Sequence, residues 1–507
     1  MRKTLGTLLL LLGGVAAAAP VTIRLSAPVH AGKEALLYRQ LDLSTPRTAL
    51  LARAPLDAQG QATLTADITG TVKAAVVIAG VRGELWLRPG TYTVRMPAPD
   101  ASAPRSVNGT TKVDLVFDGL DPMDLNALVS DLNGRLDDFI SEDLATDRKA
   151  GMQAVDIVRR GEKPFTPDTV KRPKTLFITP TWSAARVDTF SAKLHRFYAE
   201  VNDPWFQADL EYGVAGLYLG PRINDRELFD RYLKGRPVLY DVPEYARFTG
   251  SFFEDHLMRF TFRANEQALT QAIATANTDS VLALMARHDF LRDEPQLREL
   301  VMLQQLYGQY PAKTFDRAGI LAILKDRAER SPYPEHRTIA ADMVWDLTAM
   351  HPGATMPSLV LQGVSGAPVA LDTLLQGATC VVLTASWCTY CEQELAGLEA
   401  LYAEYGPYVR FIGIDVDPAL SDLKAYLKAH PAQKWTWLHA GDDPAVMDAL
   451  RARSLPTFYL LNDRTLARSP APPPGRGLPA LLHRIRAQAL EQQKLKPDAV
   501  DPRPRRR

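Results

Sequence analysis

The spacing of hydrophobic residues changes twice along the chain and divides it into three regions. In residues 21–119, short segments such as "VTIRLSA", "GELWLR" and "TYTVRMP" are separated by turn sequences such as "DAQGQ" and "VNGT". Apolar residues that alternate with polar ones between closely spaced turns are typical of β-strands. We therefore predict an all-β sandwich over residues 19–121.

Residues 122–350 carry the spacing of helices. Apolar residues recur at three- and four-residue steps in two series: Leu125, Leu128, Leu132, Leu136 and Ile140, then Val187, Phe190, Leu194, Phe197 and Val201. Each series places its members on one helical face, which predicts an all-α region. The aromatic segment "EYARFTGSFFEDHL" either contributes to the core of this region or lines a ligand groove, and we favour the core.

From residue 351 the pattern changes again, and "HPGATMP" is interpreted as a linker. Strand-like runs then alternate with helical ones: "TCVVLTA" precedes "EQELAGLEALYAEY", and "VRFIGIDVD" precedes "PALSDLKAYLKAH". Such alternation predicts an α/β sheet covered by helices on both faces, over residues 351–490. The fold class is therefore multidomain: all-β, then all-α, then α/β.

The two ends of the chain differ from these regions. Residues 1–18 have Arg2 and Lys3, an apolar run and then small residues, which is the layout of a secretory signal peptide cut after Ala18. The apolar run is shorter than the roughly 20 residues that span a bilayer. An uncleaved N-terminal helix is the alternative. Residues 491–507 end in "DPRPRRR", and we expect a basic, disordered tail there.

Composition excludes several classes of function. Lys and Arg number 59 against 58 Asp and Glu, so no basic excess suggests a nucleic-acid surface. The chain has three cysteines, and none precedes Cys380, so the first two regions do not form a disulfide-stabilised scaffold. No "GxGxxG" or "CxxCH" motif is present, and we expect no nucleotide, flavin or haem cofactor.

The remaining cysteines, Cys388 and Cys391, lie where a strand passes into a helix, in "ASWCTYC". The N-terminus of a helix favours an anion, so we expect a lowered pKa for the Cys388 thiol. Thiolate is the attacking species in disulfide exchange, and Cys391 lies close enough to resolve a mixed disulfide. The pair therefore predicts dithiol–disulfide exchange, with Cys388 as nucleophile.

Two other interpretations of the pair are weaker. A structural zinc site needs four ligands, whereas Cys380 is the sole further cysteine, and His430 and His439 lack ligand spacing. We therefore expect no metal. A purely structural disulfide would close a very small loop and stabilise the fold little. We interpret Cys380 itself as a small apolar residue of a strand, with intermolecular pairing as the alternative.

"ASWCTYC", followed later by "SLPTFYLL", resembles the exported TlpA-like thiol:disulfide oxidoreductases of the thioredoxin-like family. The resemblance is confined to the C-terminal domain. It implies that Trp387 covers the redox site, and that Pro456 is a cis-proline which, with Leu455, contacts the substrate chain. Glu394 matches a glutamate common in this branch and is a candidate catalytic residue.

The sequence also departs from the family pattern. Val382 occupies the position at which many thioredoxins carry a buried carboxylate; Glu392 or Glu394 is a candidate substitute, and solvent exposure is the alternative for each. Peroxiredoxins share the fold but need a proline seven residues before their cysteine and a threonine or serine three before it. Val381 and Ala385 occupy those places, so peroxide reduction is not expected as the main activity.

These observations predict a periplasmic thiol:disulfide oxidoreductase of a Gram-negative bacterium. We expect it to exchange the Cys388–Cys391 pair with thiols and disulfides of envelope proteins, and we favour reduction over oxidation. The periplasm is kept oxidising, so a reductase there requires a membrane-linked electron donor. The alternative is a non-enzymatic envelope scaffold whose thioredoxin domain is a relic.

Overall fold

The computed structural model describes residues 18–99, 111–159, 182–219, 224–257, 266–312, 314–441, 444–452 and 454–495. The predicted signal peptide up to residue 17 and the predicted tail from residue 496 lie outside these ranges. Within the described ranges, no helix is both long enough and apolar enough to cross a bilayer.

The N-terminal region forms two packed β-sheets. Its strands are β1 (Ala19–Ser26), β2 (Glu34–Gln40), β3 (Thr48–Pro55), β4 (Gln61–Ile68), β5 (Val72–Ile78), β6 (Val81–Leu87), β7 (Gly90–Arg95), β8 (Thr111–Val113) and β9 (Val116–Phe117). One sheet has the order β4-β1-β7-β9 and the other β3-β2-β5-β6-β8. Along β1, Val21, Ile23 and Leu25 are buried and Arg24 is exposed, as alternation requires. Residues of both sheets share one core, which confirms the predicted all-β sandwich.

The central region is helical, as predicted. Its helices are α1 (Leu125–Arg159), α2 (Ala184–Phe197), α3 (Pro204–Tyr218), α4 (Asp225–Tyr232), α5 (Pro243–Phe252), α6 (Glu266–Ala274), α7 (Thr278–Met285), α8 (Pro295–Gln309), α9 (Arg317–Arg330) and α10 (Pro334–Thr348). Local sequence explains where several of them begin. The Asp203 carboxylate accepts the Phe206 N–H at 3.0 Å, and Pro204 occupies the first turn of α3.

The apolar faces of these helices form a single core. Leu132 is fully buried, and Tyr245, Phe248 and Phe253 of the aromatic segment are core residues. Phe197 differs from the prediction, because 58% of it is exposed. It lies at the end of α2, where the guanidinium of Arg135 stacks 3.8 Å from its ring centroid in place of core packing.

The C-terminal region is an α/β domain with a seven-stranded sheet of order β11-β10-β14-β13-β12-β15-β16. The strands are β10 (Val360–Gly363), β11 (Pro368–Ala370), β12 (Ala378–Thr384), β13 (Arg410–Asp415), β14 (Thr436–His439), β15 (Thr457–Asn462) and β16 (Thr465–Ala471). The helices are α11 (Thr389–Tyr405), α12 (Leu420–Ala429), α13 (Pro444–Ala449) and α14 (Leu478–Leu495). Helix α14 therefore extends through residues 491–495, whose sequence "EQQKL" favours a helix.

Strand β12 lies inside this sheet, parallel to β13 and antiparallel to β15. Val381 and Leu383 point into one core cluster, whereas Cys380 and Val382 point into another. Both faces are thus covered, which explains the uninterrupted apolar run "CVVL". The carboxyl end of β12 leads directly into the cysteine pair.

Candidate functional site

The two cysteines form a disulfide across the first turn of α11. Cys388 is the N-cap of the helix, and the Cα atoms of Cys388 and Cys391 are 5.2 Å apart. The Cys391 N–H donates to the Cys388 sulfur at 3.1 Å. Cys388 is half-buried, whereas Cys391 has no exposed surface. Access to solvent therefore distinguishes an outer sulfur, which a partner can reach, from an inner one that can resolve the exchange.

Two aromatic side chains beside the disulfide face solvent. Trp387 is 56% exposed and Tyr390 is 46% exposed. Large aromatic residues are costly to leave in water, and an exposed pair of them next to a reactive group is typical of a docking surface. The hydroxyl of Tyr390 also hydrogen-bonds to the Glu394 carboxylate, which raises the pKa of Tyr390.

Leu455 and Pro456 lie at the same end of the sheet as the cysteines. Leu383 of β12 pairs with Thr457 of β15, so the two residues before Thr457 lie beside the carboxyl end of β12. The Leu455–Pro456 peptide bond is cis. The structure therefore brings Leu455 and Pro456 to the end of the sheet from which Cys388 emerges.

Glu394 lies one turn after Cys391 on α11, and positions three apart share a helical face. It is buried, with 8% of its surface exposed, and its Oε2 accepts the Gly475 N–H at 3.1 Å. A cavity of about 280 Å³ adjoins it, lined by Gln393, Glu394, Gly397, Leu401, Pro474, Gly475 and Pro479. Glu394 is thus a carboxylate beside the inner cysteine with an opening to solvent.

A second carboxylate, Asp417, holds the segment that leads to Cys388. Asp417 is 1% exposed, and the Ser386 N–H donates to both of its oxygens at 3.1 Å. The Val416 N–H donates to the Thr384 carbonyl at 3.0 Å and ties the same two segments together. The turn that presents Trp387 and Cys388 is therefore fixed from the neighbouring strand.

Asp415 and His439 form a buried pair next to Asp417. The His439 Nδ1 and Asp415 Oδ2 are 2.8 Å apart, and the Asp417 N–H approaches the same oxygen at 3.4 Å. Burial raises the pKa of Asp415 to about 6; His439 opposes this shift and Asp417 adds to it. The pair stabilises the end of β13 against β14.

Asp415, Asp417 and His439 form a cluster that we did not predict from the sequence. A signal was present in "GIDVDP", where two acids follow a strand predicted to be buried. The carboxyl ends of adjacent parallel strands meet at one edge of a sheet, and the structure pairs Thr384 with Asp415 in register. Across the described residues, no group of three or more His, Cys, Asp or Glu side chains has an arrangement that could hold a metal ion.

Cys380 is remote from this chemistry. It is a free cysteine with 1% exposure in the core beneath α11. Burial raises the pKa of its thiol to about 12. A thiol in this environment is a poor nucleophile.

Comparisons with known proteins find a family model and solved structures that are similar to the C-terminal region. The model of the AhpC/TSA family matches residues 352–468. A protein named as a thiol-disulfide oxidoreductase from Bacteroides vulgatus is 24% identical over 27% of this chain and 99% of its own, with a TM-score of 0.26. A thiol-disulfide oxidoreductase from Bacteroides fragilis is 19% identical over 26% of this chain and 99% of its own, with a TM-score of 0.24.

A third solved structure, of a protein named as the thiol:disulfide interchange protein DsbE from Chlorobium tepidum, is 23% identical. It covers 28% of this chain and 95% of its own, with a TM-score of 0.22. The search of the curated proteins found no match. The family match spans the disulfide, the Leu455–Pro456 bond and the central strands. The C-terminal region therefore has a thioredoxin-like fold, and its residues 352–468 match the AhpC/TSA family model.

Proposed function

We propose that this protein is a thiol:disulfide oxidoreductase in which Cys388 is the nucleophile and Cys391 the resolving cysteine. The observation that carries the proposal is the asymmetry of the disulfide. Cys388 is reachable as the N-cap of α11, whereas Cys391, in the first turn of the same helix, is fully buried. A disulfide placed this way is suited to exchange, because only one of its sulfurs meets a partner.

In the reducing direction, the Cys388 thiolate attacks one sulfur of a substrate disulfide. That disulfide breaks, its second sulfur leaves as a thiolate and takes a proton, and a mixed disulfide forms on Cys388. Cys391, deprotonated, then attacks the Cys388 sulfur and releases the first substrate sulfur. Two electrons have passed to the substrate, and the pair returns to the disulfide seen in this structure.

The neighbouring residues have separate roles in this scheme. The N–H of Cys391 donates to the Cys388 sulfur, and the same donor favours the thiolate in the reduced state. Trp387, Leu455 and Pro456 contact the substrate chain around the mixed disulfide. Glu394 takes the proton from the Cys391 thiol and releases it to water in the adjoining cavity.

The compartment and the direction of transfer belong to the same proposal. The leader-like sequence of residues 1–18 supports export to a periplasm, where the substrates are thiols and disulfides of envelope proteins. Reduction in that compartment consumes two electrons per cycle. They are supplied by a membrane-linked dithiol donor.

Trapping of the mixed disulfide tests the proposal. Cys391→Ser removes the resolving thiol, so the reduced variant incubated with a protein disulfide such as insulin should accumulate a covalent adduct on Cys388. Cys388→Ser should form none. Cys380→Ala is the matched control, because Cys380 is buried and outside the site, and it should exchange as the wild type does.

Two outcomes would contradict the proposal. If Cys391→Ser forms no adduct while its fold is intact, the pair is not an exchange centre, and the scaffold alternative is supported. If the wild type consumes hydrogen peroxide much faster than it reduces insulin, the activity is peroxide reduction instead. The adduct is read by mass spectrometry, with peptide mapping to show which cysteine carries it.

A further inference from the structure

One indole ring joins all three domains of the protein. Trp345 lies on α10 of the helical domain. The guanidinium of Arg47, from the β-sandwich, lies over its ring at 4.6 Å from the centroid, and the guanidinium of Arg451, from the thioredoxin-like domain, lies over it at 5.2 Å. Stacking of arginine on an aromatic ring is directional, so each domain is held in orientation as well as in contact.

Ion pairs reinforce both arginines. Arg451 pairs with Asp346 at 2.6 Å and also donates to the Asp346 carbonyl at 3.2 Å. The side chains of this pair are 19% and 9% exposed. Arg47 pairs in the same way with Asp342 of α10. Removal of one member of such a poorly exposed pair leaves the other charge buried without its partner, which is far more costly than loss of a surface pair.

Arg451 lies just before the Leu455–Pro456 loop, which we propose contacts the substrate. It lies two residues after the end of α13 and precedes Leu455 and Pro456 by a few residues. The hydroxyl of Tyr459, on β15 beyond that loop, donates to the carbonyl of Leu450 at 2.7 Å. The chain before the loop is thus tied to the chain after it.

The β-sandwich contacts the same helix directly. Leu36 and Tyr38 of β2 and Val77 of β5 form a buried cluster on the outer side of their sheet, and Ala445 of α13 packs against it. Helix α13 is therefore held at its start by the β-sandwich and just after its end by the helical domain.

We propose that the β-sandwich and the helical domain position the Leu455–Pro456 loop through α13 and Arg451, with Trp345 as the shared support, and thereby set the recognition of protein substrates. The inference rests on the proposed function of the disulfide. A small disulfide needs only the Cys388 sulfur, whereas a protein chain must also fit the loop. Arg451 is a positioning residue in this account and takes no part in bond exchange.

The test compares two substrates on the full-length protein: insulin, and a small aromatic disulfide such as 5,5′-dithiobis(2-nitrobenzoate). With Arg451→Ala we expect the KM for insulin to rise about fivefold or more, because the loop is misplaced, while exchange with the small disulfide changes by less than about twofold. Trp345→Ala should act in the same direction. Arg464→Ala is the control, because Arg464 pairs with Asp372 inside the thioredoxin-like domain and should leave both substrates unaffected.

Arg47→Ala is the decisive variant, since Arg47 belongs to the β-sandwich and reaches the thioredoxin-like domain through Trp345. We expect it to raise the KM for insulin about twofold to threefold, and to add nothing in a Trp345→Ala background. Wild-type kinetics with insulin in either Arg451→Ala or Arg47→Ala would overturn the inference. Equal loss with both substrates would also overturn it, because the disulfide itself would then be affected. If the wild type exchanges with neither substrate, the proposed function fails first.

Discussion

Two buried carboxylates beside the disulfide are held in different ways. Asp417 lies just after β13, the strand next to β12. Both of its carboxylate oxygens accept the backbone N–H of Ser386. Glu394, on the cysteine helix itself, accepts the Gly475 N–H with one oxygen and adjoins a cavity of about 280 Å³. The first is fixed in a closed environment, whereas the second has a route to solvent.

This difference separates positioning from proton transfer. A carboxylate that accepts a backbone N–H with both oxygens holds the backbone in place. A carboxylate beside a cavity can exchange its proton with water and then with a neighbouring thiol. Asp417 therefore holds the turn before Cys388, and we propose that Glu394 exchanges a proton with the inner sulfur.

Asp417→Ala should have the largest effect. It removes the charged acceptor of the Ser386 N–H and leaves a small cavity in place of a buried side chain, so we expect a loss of about 3 kcal/mol in the free energy of unfolding. Exchange with both small and protein disulfides should slow together, because Cys388 is displaced. Urea denaturation and insulin reduction measure the two effects. Unchanged stability and rate would show that Asp417 does not hold the turn.

Asp415→Asn should change how stability depends on pH. Folding raises the pKa of this buried carboxyl from 3.8 to about 6, so the folded state binds the proton more tightly than the unfolded state. Its stabilising contribution is therefore fully present below about pH 4 and is lost as the pH rises through about 6, a change of roughly 3 kcal/mol at 1.36 kcal/mol per pH unit.

The asparagine variant lacks this titration but keeps an acceptor for His439. We therefore expect its free energy of unfolding to fall less between pH 4 and pH 7 than that of the wild type. Urea denaturation at a series of pH values provides the comparison. Parallel pH profiles for the two proteins would show that Asp415 titrates as an ordinary carboxyl.

Glu394→Gln should slow turnover and leave the fold intact. Glutamine can still accept the Gly475 N–H, but it cannot take a proton from Cys391. We expect roughly tenfold slower resolution of the mixed disulfide, equal to about 1.4 kcal/mol in the activation barrier, with the attack by Cys388 unchanged. Stopped-flow measurement of the two steps separates them. Equal slowing of both steps would assign Glu394 a structural role.

Cys380→Ala should have the smallest effect. The thiol is buried among apolar side chains, and removal of one sulfur atom from the core should cost about 1 kcal/mol in stability without change in the exchange rate. A slower rate with unchanged stability would show that Cys380 takes part in the reaction.

The features that depend on the local order of residues could be predicted from the sequence. Alternating apolar residues identified the β-sandwich, and the helical spacing of Leu128 and Leu132 identified the core face of α1. Cys388, Cys391 and Pro456 lie in motifs that adjacent residues define. These predictions rest on neighbours in sequence, and the structure places all three residues at one end of the sheet.

Contacts between distant segments were not accessible. Asp417 and Ser386 are 31 residues apart, Asp415 and His439 are 24 apart, and Trp345 meets residues of two other domains. Nothing local distinguishes these residues from ordinary polar or aromatic positions, because strand register and domain packing bring them together. The exposure of Phe197 could not be predicted either. Its spacing matches that of the buried residues on α2, and the sequence does not show that the core ends before it.

The central claim is that Cys388 and Cys391 cycle reversibly as one two-electron couple. An equilibrium titration of the full chain in dithiothreitol redox buffers, with alkylation and mass counting, tests it most directly. The account predicts that both thiols appear together, with a reduction potential near or below about −250 mV, on the thioredoxin side of the known range. A pair that stays oxidised throughout the titration would contradict the account, as would thiols that become reactive one at a time.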